Sequence, residues 1–283
     1  MKKIKTNYKL IDCGKREKLE QFGDFIIRRP SPQAVWPKKL PSDIWDIYQS
    51  RYDEKKNEWL KDQYEDLPRF QINNLKLTLK YSSQRQLGIF PEQLPNWQWL
   101  DDYLAHTERS LKIFNGFAYT GAASTVAACA AGGRHQITHL DATPASVKWA
   151  QGNYALNSSK QNVRWITDDI ITFMQREVKR GNKYDAFILD PPAFGRTKKA
   201  TWKIGRDLPK LLQIINQLLS SDPKFIILSS HDKDFPAKKL AEELLRHCDL
   251  PLGKLEKFAL KIPSETGNPL PAGESIRWVN SQE

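Results

Sequence analysis

Three aspartates in the second half of the chain, Asp141, Asp169 and Asp190, have the placement that ligand chemistry needs. They stand at or just past short strand candidates at 137–140, 163–166 and 186–189. The last of these is an apolar run with no helical period, which reads as a buried strand of a parallel sheet. A carboxylate beyond such a strand lies where open α/β sheets keep their ligands, and it can accept hydrogen bonds from hydroxyl and amino groups. Asp190 is followed by Pro191 and Pro192, and then by Phe194, an apolar ring in a turn. Two prolines remove two ladder donors and fix φ, so the strand ends abruptly in a rigid, extended backbone. Taken alone, this turn is as well explained by packing as by chemistry, and its neighbours must decide.

The elements that would hold these carboxylates alternate strand and helix from Leu111 onward, the pattern of a doubly wound sheet. A first strand begins at 111–114 and feeds the turn Gly116, Phe117, Ala118, Tyr119, Thr120, Gly121, ahead of an alanine-rich helix. The turn lacks the G-x-G-x-x-G spacing of a pyrophosphate site, which argues against a dinucleotide. Asp141 lies 20 positions after Gly121, where an acidic group receives ribose hydroxyls, and the helix predicted over 144–156 offers it a capping role instead. Asp168 and Asp169 precede another helix; such a carboxylate can accept from an adenine amino group, cap the helix, or do both. A fifth strand at 225–228 ends in Ser229, Ser230 and His231, a helix covers 235–247, and strands at 255–262 and 275–279 close the chain.

The first 85 residues read as a separate, small, mainly β domain, with 86–283 as the second domain. Strands are expected at 8–13 and 25–27, a proline-punctuated connection at 29–37, and an alternating strand at 70–80. Trp45, Tyr48 and Tyr52 have helical spacing. The aromatic residues of this domain could stack on RNA bases, although at these spacings they more often form core. A turn over 86–93 then leads into a helix carrying Trp97, Leu100 and Leu104 on one face.

Composition narrows the class of partner. The 283 residues carry a net charge of +11, which favours a polyanion, nucleic acid or membrane headgroups, unless it serves solubility alone. No apolar run approaches the roughly 20 residues needed to span a bilayer, and the lysine-rich start lacks a signal peptide's apolar core, so no membrane association and a cytosolic location are expected. Cys13, Cys129 and Cys248 are scattered, as are the five histidines, which suits reduced packing thiols and no metal site.

Phe117 to Gly121, Asp141, Asp169 and the run Asp190, Pro191, Pro192, Ala193, Phe194 resemble, in order and spacing, the motifs of class I S-adenosylmethionine-dependent methyltransferases. Within that superfamily the combination is similar to the branch that modifies large-subunit ribosomal RNA and contains cytosine-C5 methyltransferases. The stretches 88–93 and 270–273 also look familiar from that group. The resemblance implies a Rossmann-like, seven-stranded, doubly wound sheet and S-adenosylmethionine as cofactor. It implies that Phe117, Ala118, Tyr119, Thr120 and Gly121 approach the methionine part with backbone groups. Asp141 with Ala142 would bind ribose, Asp169 with Asp168 the adenine, and Asp190 the edge where the methyl group passes. Phe90 and Gln93 would line the same pocket. Pro191, Pro192 and Phe194 would hold the acceptor base beside Asp190. RNA, ribosomal RNA in particular, is the implied partner. Arg196, Lys198, Lys199, Trp202, Lys203 and Arg206 form a loop suited to phosphates and a stacked base.

One departure bears on mechanism. Methylation at C5 of a pyrimidine needs a nucleophile that adds to C6, and cysteine is suited to it. In the related enzymes that cysteine follows the fifth strand or the Asp-Pro-Pro motif; here those places hold Ser229, Ser230, His231 and Ala193, Phe194. The sequence therefore points to direct transfer to nitrogen or oxygen, with His231 as either a base or a cap of the helix after it. A methyltransferase acting on a protein or small molecule, and an RNA-binding protein that has lost the chemistry, are the alternatives.

Overall fold

The computed structural model describes residues 4–61, 67–82, 85–158, 160–196 and 201–281. The chain forms two compact units. One holds the residues before 96 together with 260–272, and the other holds 96–259 and the chain from 273 onward. The division expected after residue 85 thus falls after residue 95 here, and the tip of the last hairpin joins the N-terminal unit, where Ser264 bridges Leu10.

The N-terminal unit contains a five-stranded sheet of β1 (Tyr8–Gly14), β2 (Glu17–Phe22), β3 (Phe25–Pro30), β4 (Ser50–Asp53) and β5 (Glu58–Lys61), in that order. A separate hairpin joins β6 (Phe70–Ile72) to β7 (Leu75–Leu77). The helical reading of Trp45, Tyr48 and Tyr52 is corrected: only a single turn, α1 (Ser42–Trp45), forms, and Tyr52 lies in the β4–β5 hairpin opposite Trp59. Cross-strand pairing and an edge-on Tyr52–Trp59 contact at 5.3 Å outweigh the local spacing. Trp45 is buried, and its indole donates to Asp12 Oδ2 at 2.9 Å, so this ring belongs to the core. β2 was not expected from its sequence because it carries Lys18 and Glu20. Both are buried, and Glu20 accepts from Tyr8, Lys18 and Arg29, a network that satisfies the charges water would otherwise solvate.

The second unit is built on a seven-stranded sheet in the order β10-β9-β8-β11-β14-β16-β15. Its members are β8 (Lys112–Gly116), β9 (Gln136–Asp141), β10 (Val163–Thr167), β11 (Ala186–Leu189), β14 (Phe225–Ser230), β15 (Gly253–Ile262) and β16 (Leu270–Asn280). The helices are α2 (Leu94–His106), α3 (Ala122–Cys129), α4 (Pro144–Ala155), α5 (Ile170–Lys179), α6 (Ile204–Leu218) and α7 (Ala237–His247). The strands β10, β9, β8, β11 and β14 run parallel, and β16 runs antiparallel to β14. The chain winds outward from β8 through β9 to β10, then returns to β11 and β14 on the other side. That reversal puts the topological switch point between β8 and β11.

Phe114, Phe187, Leu189, Ile226 and Leu228 are fully buried and pack with Phe173, Leu211 and Leu240 of the helices. Each such side chain contributes roughly 1.5–3 kcal/mol. At the start of β11, buried Glu177 accepts from Tyr184 (2.6 Å), Arg164 (2.9 Å), Arg180 (2.8 Å) and Asn182 (2.8 Å). Burial alone would push this carboxyl up, but the four donors hold it down at about 2.

The segment after Pro192, expected as an open loop, forms a small antiparallel pair, β12 (Phe194–Arg196) and β13 (Thr201–Lys203), with Gly195 opposite Trp202.

Candidate active site

Strand register assembles the site. Gly116 pairs with Leu140 on one side and with Leu189 on the other, and Leu189 pairs with Leu228. Gly116, Leu140, Leu189 and Leu228 therefore stand on one level, and the next residues, Phe117, Asp141, Asp190 and Ser229, lie side by side toward the carboxyl edge of the sheet, where β14 runs on to Ser230.

Between β8 and α3 the turn takes a left-handed path, with φ of 56° at Phe117, 47° at Tyr119 and 80° at Gly121. Non-glycine residues rarely adopt such angles, and here hydrogen bonds hold them. Ala118 N–H donates to Leu140 O at 3.0 Å, and Gly121 N–H donates to Ala118 O at 2.9 Å. Tyr119 N–H donates to Asp141 Oδ2 at 2.9 Å. Asp141 Oδ1 accepts from Thr143 N–H at 2.9 Å, so one carboxylate braces both loops. Burial pushes the Asp141 pKa up, against the pull of the Thr143 and Tyr119 donors. A Cβ on Gly121 would stand 2.6 Å from the Ala150 Cβ, which gives this glycine a packing reason in addition to its angle. Beneath the turn, buried Ser124 contacts His139 Nδ1 at 2.9 Å. Ala142 is exposed just beyond Asp141.

Asp169 caps α5, accepting from Thr172 N–H and Thr172 Oγ1, both at 2.9 Å to Oδ1. Asp168 pairs with Arg176 and accepts the Asp169 N–H at 2.9 Å. The capping role weighed for this pair is present, and Asp169 carries it through Oδ1. Phe90 and Gln93 lie in the N-terminal unit, where the Gln93 N–H donates to Phe90 O at 3.0 Å and Gln93 is buried.

Asp190 leaves β11 half-buried, Pro191 is buried, and Pro192 is exposed. Phe194 is 57% exposed, a large apolar ring left open next to the carboxylate. His231 does not cap α7, whose N-cap is Pro236. Its Nε2 lies 3.2 Å from Asp190 Oδ1 and 3.5 Å from Oδ2. The expectation that Trp202 offers a stacking surface for a base is corrected. Trp202 is buried, packs edge-on against Phe117 at 4.8 Å, and donates its indole N–H to Pro192 O at 2.7 Å. An indole placed between two loops of the site is packing for the site itself. Arg196, Lys203 and Arg206 are exposed on and beside the hairpin, Arg206 pairing with Asp207, while Lys198 and Lys199 lie outside the described residues.

Two signals were missed in sequence. The β12–β13 pair is too short for periodicity to reveal it, although Trp202 between polar neighbours is the alternation of a half-buried strand. The approach of His231 to Asp190 depends on β14 lying beside β11, which only the sheet order supplies.

Asp141 and Asp169 follow neighbouring strands at this edge and present carboxylate oxygens, groups that accept hydrogen bonds from hydroxyl and amino groups. The profile of the S-adenosylmethionine-dependent methyltransferases matches residues 34–251. A SAM-dependent methyltransferase from Agrobacterium tumefaciens has a crystal structure that superposes with a TM-score of 0.89 at 29% identity, over 96% of this chain and 90% of that one. YwbD of Bacillus subtilis, named as a candidate large-subunit ribosomal RNA methyltransferase, is 25% identical over 217 residues, 75% of this chain and 53% of its own. The ribosomal RNA large subunit methyltransferase K/L of Pseudoalteromonas atlantica is 31% identical over 143 residues, 50% of this chain and 19% of its own. The chain thus spans between about a fifth and about half of the length of these two relatives. The family model covers well over half of the chain and the fold superposes on that solved relative, and the chain belongs to the S-adenosylmethionine-dependent methyltransferases, with S-adenosylmethionine as its cofactor.

Proposed function

We propose that the protein methylates RNA, ribosomal RNA in particular, by direct transfer to a nitrogen or oxygen atom with no cysteine nucleophile. The observation that carries the mechanism is the state of the thiols. Burial raises the pKa of all three cysteines, Cys129 to about 11 and Cys248 to about 12. Raised thiols are mostly protonated near neutrality and poor nucleophiles. Cys129 closes α3, Cys248 follows α7 with its Sγ toward Leu212 O, and Cys13 lies in β1 of the other unit. None follows the carboxyl end of β11 or β14, where Asp190 and His231 stand.

The cofactor supplies a methyl group on a sulfonium, which needs only a well-placed lone pair to receive it. The chain's task is then positioning. Phe194 offers its open face to a base, the Pro191–Pro192 turn holds the backbone rigid, and Asp190 accepts a hydrogen bond from an acceptor N–H or O–H. Asp141 and Asp169 hold the nucleoside of the cofactor, and the turn from Phe117 to Gly121 holds its tail. Exposed Arg196, Lys203 and Arg206 stand ready to hold phosphates beside the reacting base. The net charge of +11 and the names borne by the relatives fit an RNA acceptor, and a cytosolic location is part of the same proposal.

Mass spectrometry of ribosomal RNA nucleosides from cells with and without the protein tests the substrate; loss of one methylated nucleoside is expected, and an unchanged pattern removes ribosomal RNA. Incubation with 5-fluorocytosine-substituted RNA tests the mechanism. A covalent adduct would overturn direct transfer.

A further inference from the structure

We propose that His231 is a positioning residue of the methyl-transfer site: its Nε2–H fixes the Asp190 carboxylate, and Gly273 leaves the space that the His231 ring occupies. The inference rests on the proposed function for the acceptor, and on geometry for everything else.

β14 lies beside β11, with Leu228 opposite Leu189, so the residues leaving the two strands are neighbours. His231 Nε2 lies 3.2 Å from Asp190 Oδ1 and 3.5 Å from Oδ2, and of the two only Oδ2 meets it with hydrogen-bond geometry. A proton on Nε2 is donated to Oδ2, and a proton on Nδ1 would leave two acceptors facing each other. The geometry therefore selects the Nε2–H tautomer. Asp190 is only half-buried and follows the last residue of its strand, and the imidazole limits the rotation of its side chain. A carboxylate that must meet an acceptor base benefits from being held in one orientation before the base arrives.

Gly273 is the third member. It adopts φ of +130°, and a Cβ there would stand 2.5 Å from Ser230 O and 3.0 Å from His231 Nδ1. The first contact is with backbone, so relief requires movement of the segment that carries His231. Gly273 sits on β16, which pairs with β14 through Ser230 and Glu274. Three adjacent strands thus contribute one residue each, Gly273 giving room, His231 giving direction and Asp190 receiving it.

The test has two arms. Long-range proton–nitrogen spectra of the histidine-labelled full chain, without RNA, report the tautomer. The Nε2–H form is expected in the wild type, with its proton deshielded by the carboxylate, and that proton should move upfield in Asp190→Ala. An Nδ1–H form in the wild type overturns the proposal, as does an Nε2–H signal indifferent to Asp190→Ala. The second arm measures tritium transfer from labelled S-adenosylmethionine to ribosomal RNA from cells lacking the protein, with cofactor affinity read by calorimetry. His231→Leu should lower kcat roughly 10- to 100-fold while cofactor affinity stays within about twofold. His231→Gln, which keeps an N–H near the same place, should recover most of the loss, and Gly273→Ala, which displaces the segment that carries His231, should lower kcat in the otherwise unchanged chain. Full activity in His231→Leu or in Gly273→Ala, or equal losses in the Gln and Leu variants, overturn it. The spectral arm needs no acceptor, so an RNA that accepts no methyl group from the wild type sinks the substrate reading and leaves the tautomer result standing.

Discussion

The Trp202 indole N–H donates to the Pro192 carbonyl at 2.7 Å, which ties the β12–β13 pair to the rigid turn after Asp190. The same ring packs on Phe117, so one side chain braces both sides of the switch point. Trp202→Phe keeps an aromatic ring and removes the donor, which should cost about 1 kcal/mol. For a chain of this size that corresponds to a melting temperature lower by about 2–4 °C. Trp202→Ala should cost about 3–5 kcal/mol. Thermal unfolding of the two variants checks the order; a Phe variant as stable as the wild type shows that the hydrogen bond contributes nothing.

Asp141 should matter for the cofactor through two routes. It braces the turn by accepting from Tyr119 and Thr143, and it offers acceptor capacity to ribose hydroxyls. Asp141→Asn leaves one oxygen where two were used. The lost charge-assisted hydrogen bond is worth roughly 1.5–3 kcal/mol, so S-adenosylmethionine should bind about tenfold weaker or worse by calorimetry. Unchanged affinity would separate Asp141 from the cofactor.

Two glycines should respond to alanine with opposite signs. Gly121 has φ of +80° and a crowded Cβ position, so Gly121→Ala should destabilise by about 1–3 kcal/mol. Gly152 lies within α4 with open space where a Cβ would stand, so Gly152→Ala should stabilise by about 0.5–1 kcal/mol. Urea unfolding of both variants decides; equal effects would contradict the local geometry.

Acid should weaken the fold in two windows. Burial pushes His139 down to about 3. The unfolded chain takes up this proton near pH 6.5 and the folded chain does not, so stability is full above pH 6.5 and falls as pH drops toward 3. Between pH 6.5 and 5 the loss from His139 should be about 2 kcal/mol. Glu177 is held at about 2, so its contribution is full above the unfolded carboxyl range near 4.5 and is lost as pH falls toward 2. Urea unfolding at pH 7 and pH 5 reads the first window alone. His139→Gln should flatten the change, and an unaltered pH response would assign it to other groups, buried His135 first.

Part of the catalytic unit was legible because a parallel strand buried on both faces is written as a continuous apolar run, as at 186–189 and 225–228, and because a glycine turn stands ahead of the alanine-rich helix. Legibility failed where side chains act against type. Lys18 and Glu20 look like surface residues, and each is buried because the other and Arg29 are there. Trp202, set among basic residues, looks like a ligand platform and instead packs on Phe117. Tyr48 and Tyr52 have helical spacing, yet Tyr52 faces Trp59 across a hairpin. The Asp190–His231 approach joins residues 41 positions apart through strand order, a long-range property that local pattern does not encode.

The shared level of Gly116, Leu140, Leu189 and Leu228 in β8, β9, β11 and β14 has a consequence for how the gene can change. Side chains alternate faces along a strand, so deleting one codon within any of these strands inverts its buried set and moves its terminal residue out of line with the others. The connections at their amino ends carry no such constraint. Length variation should therefore collect at that far edge, while the strands themselves change by substitution only.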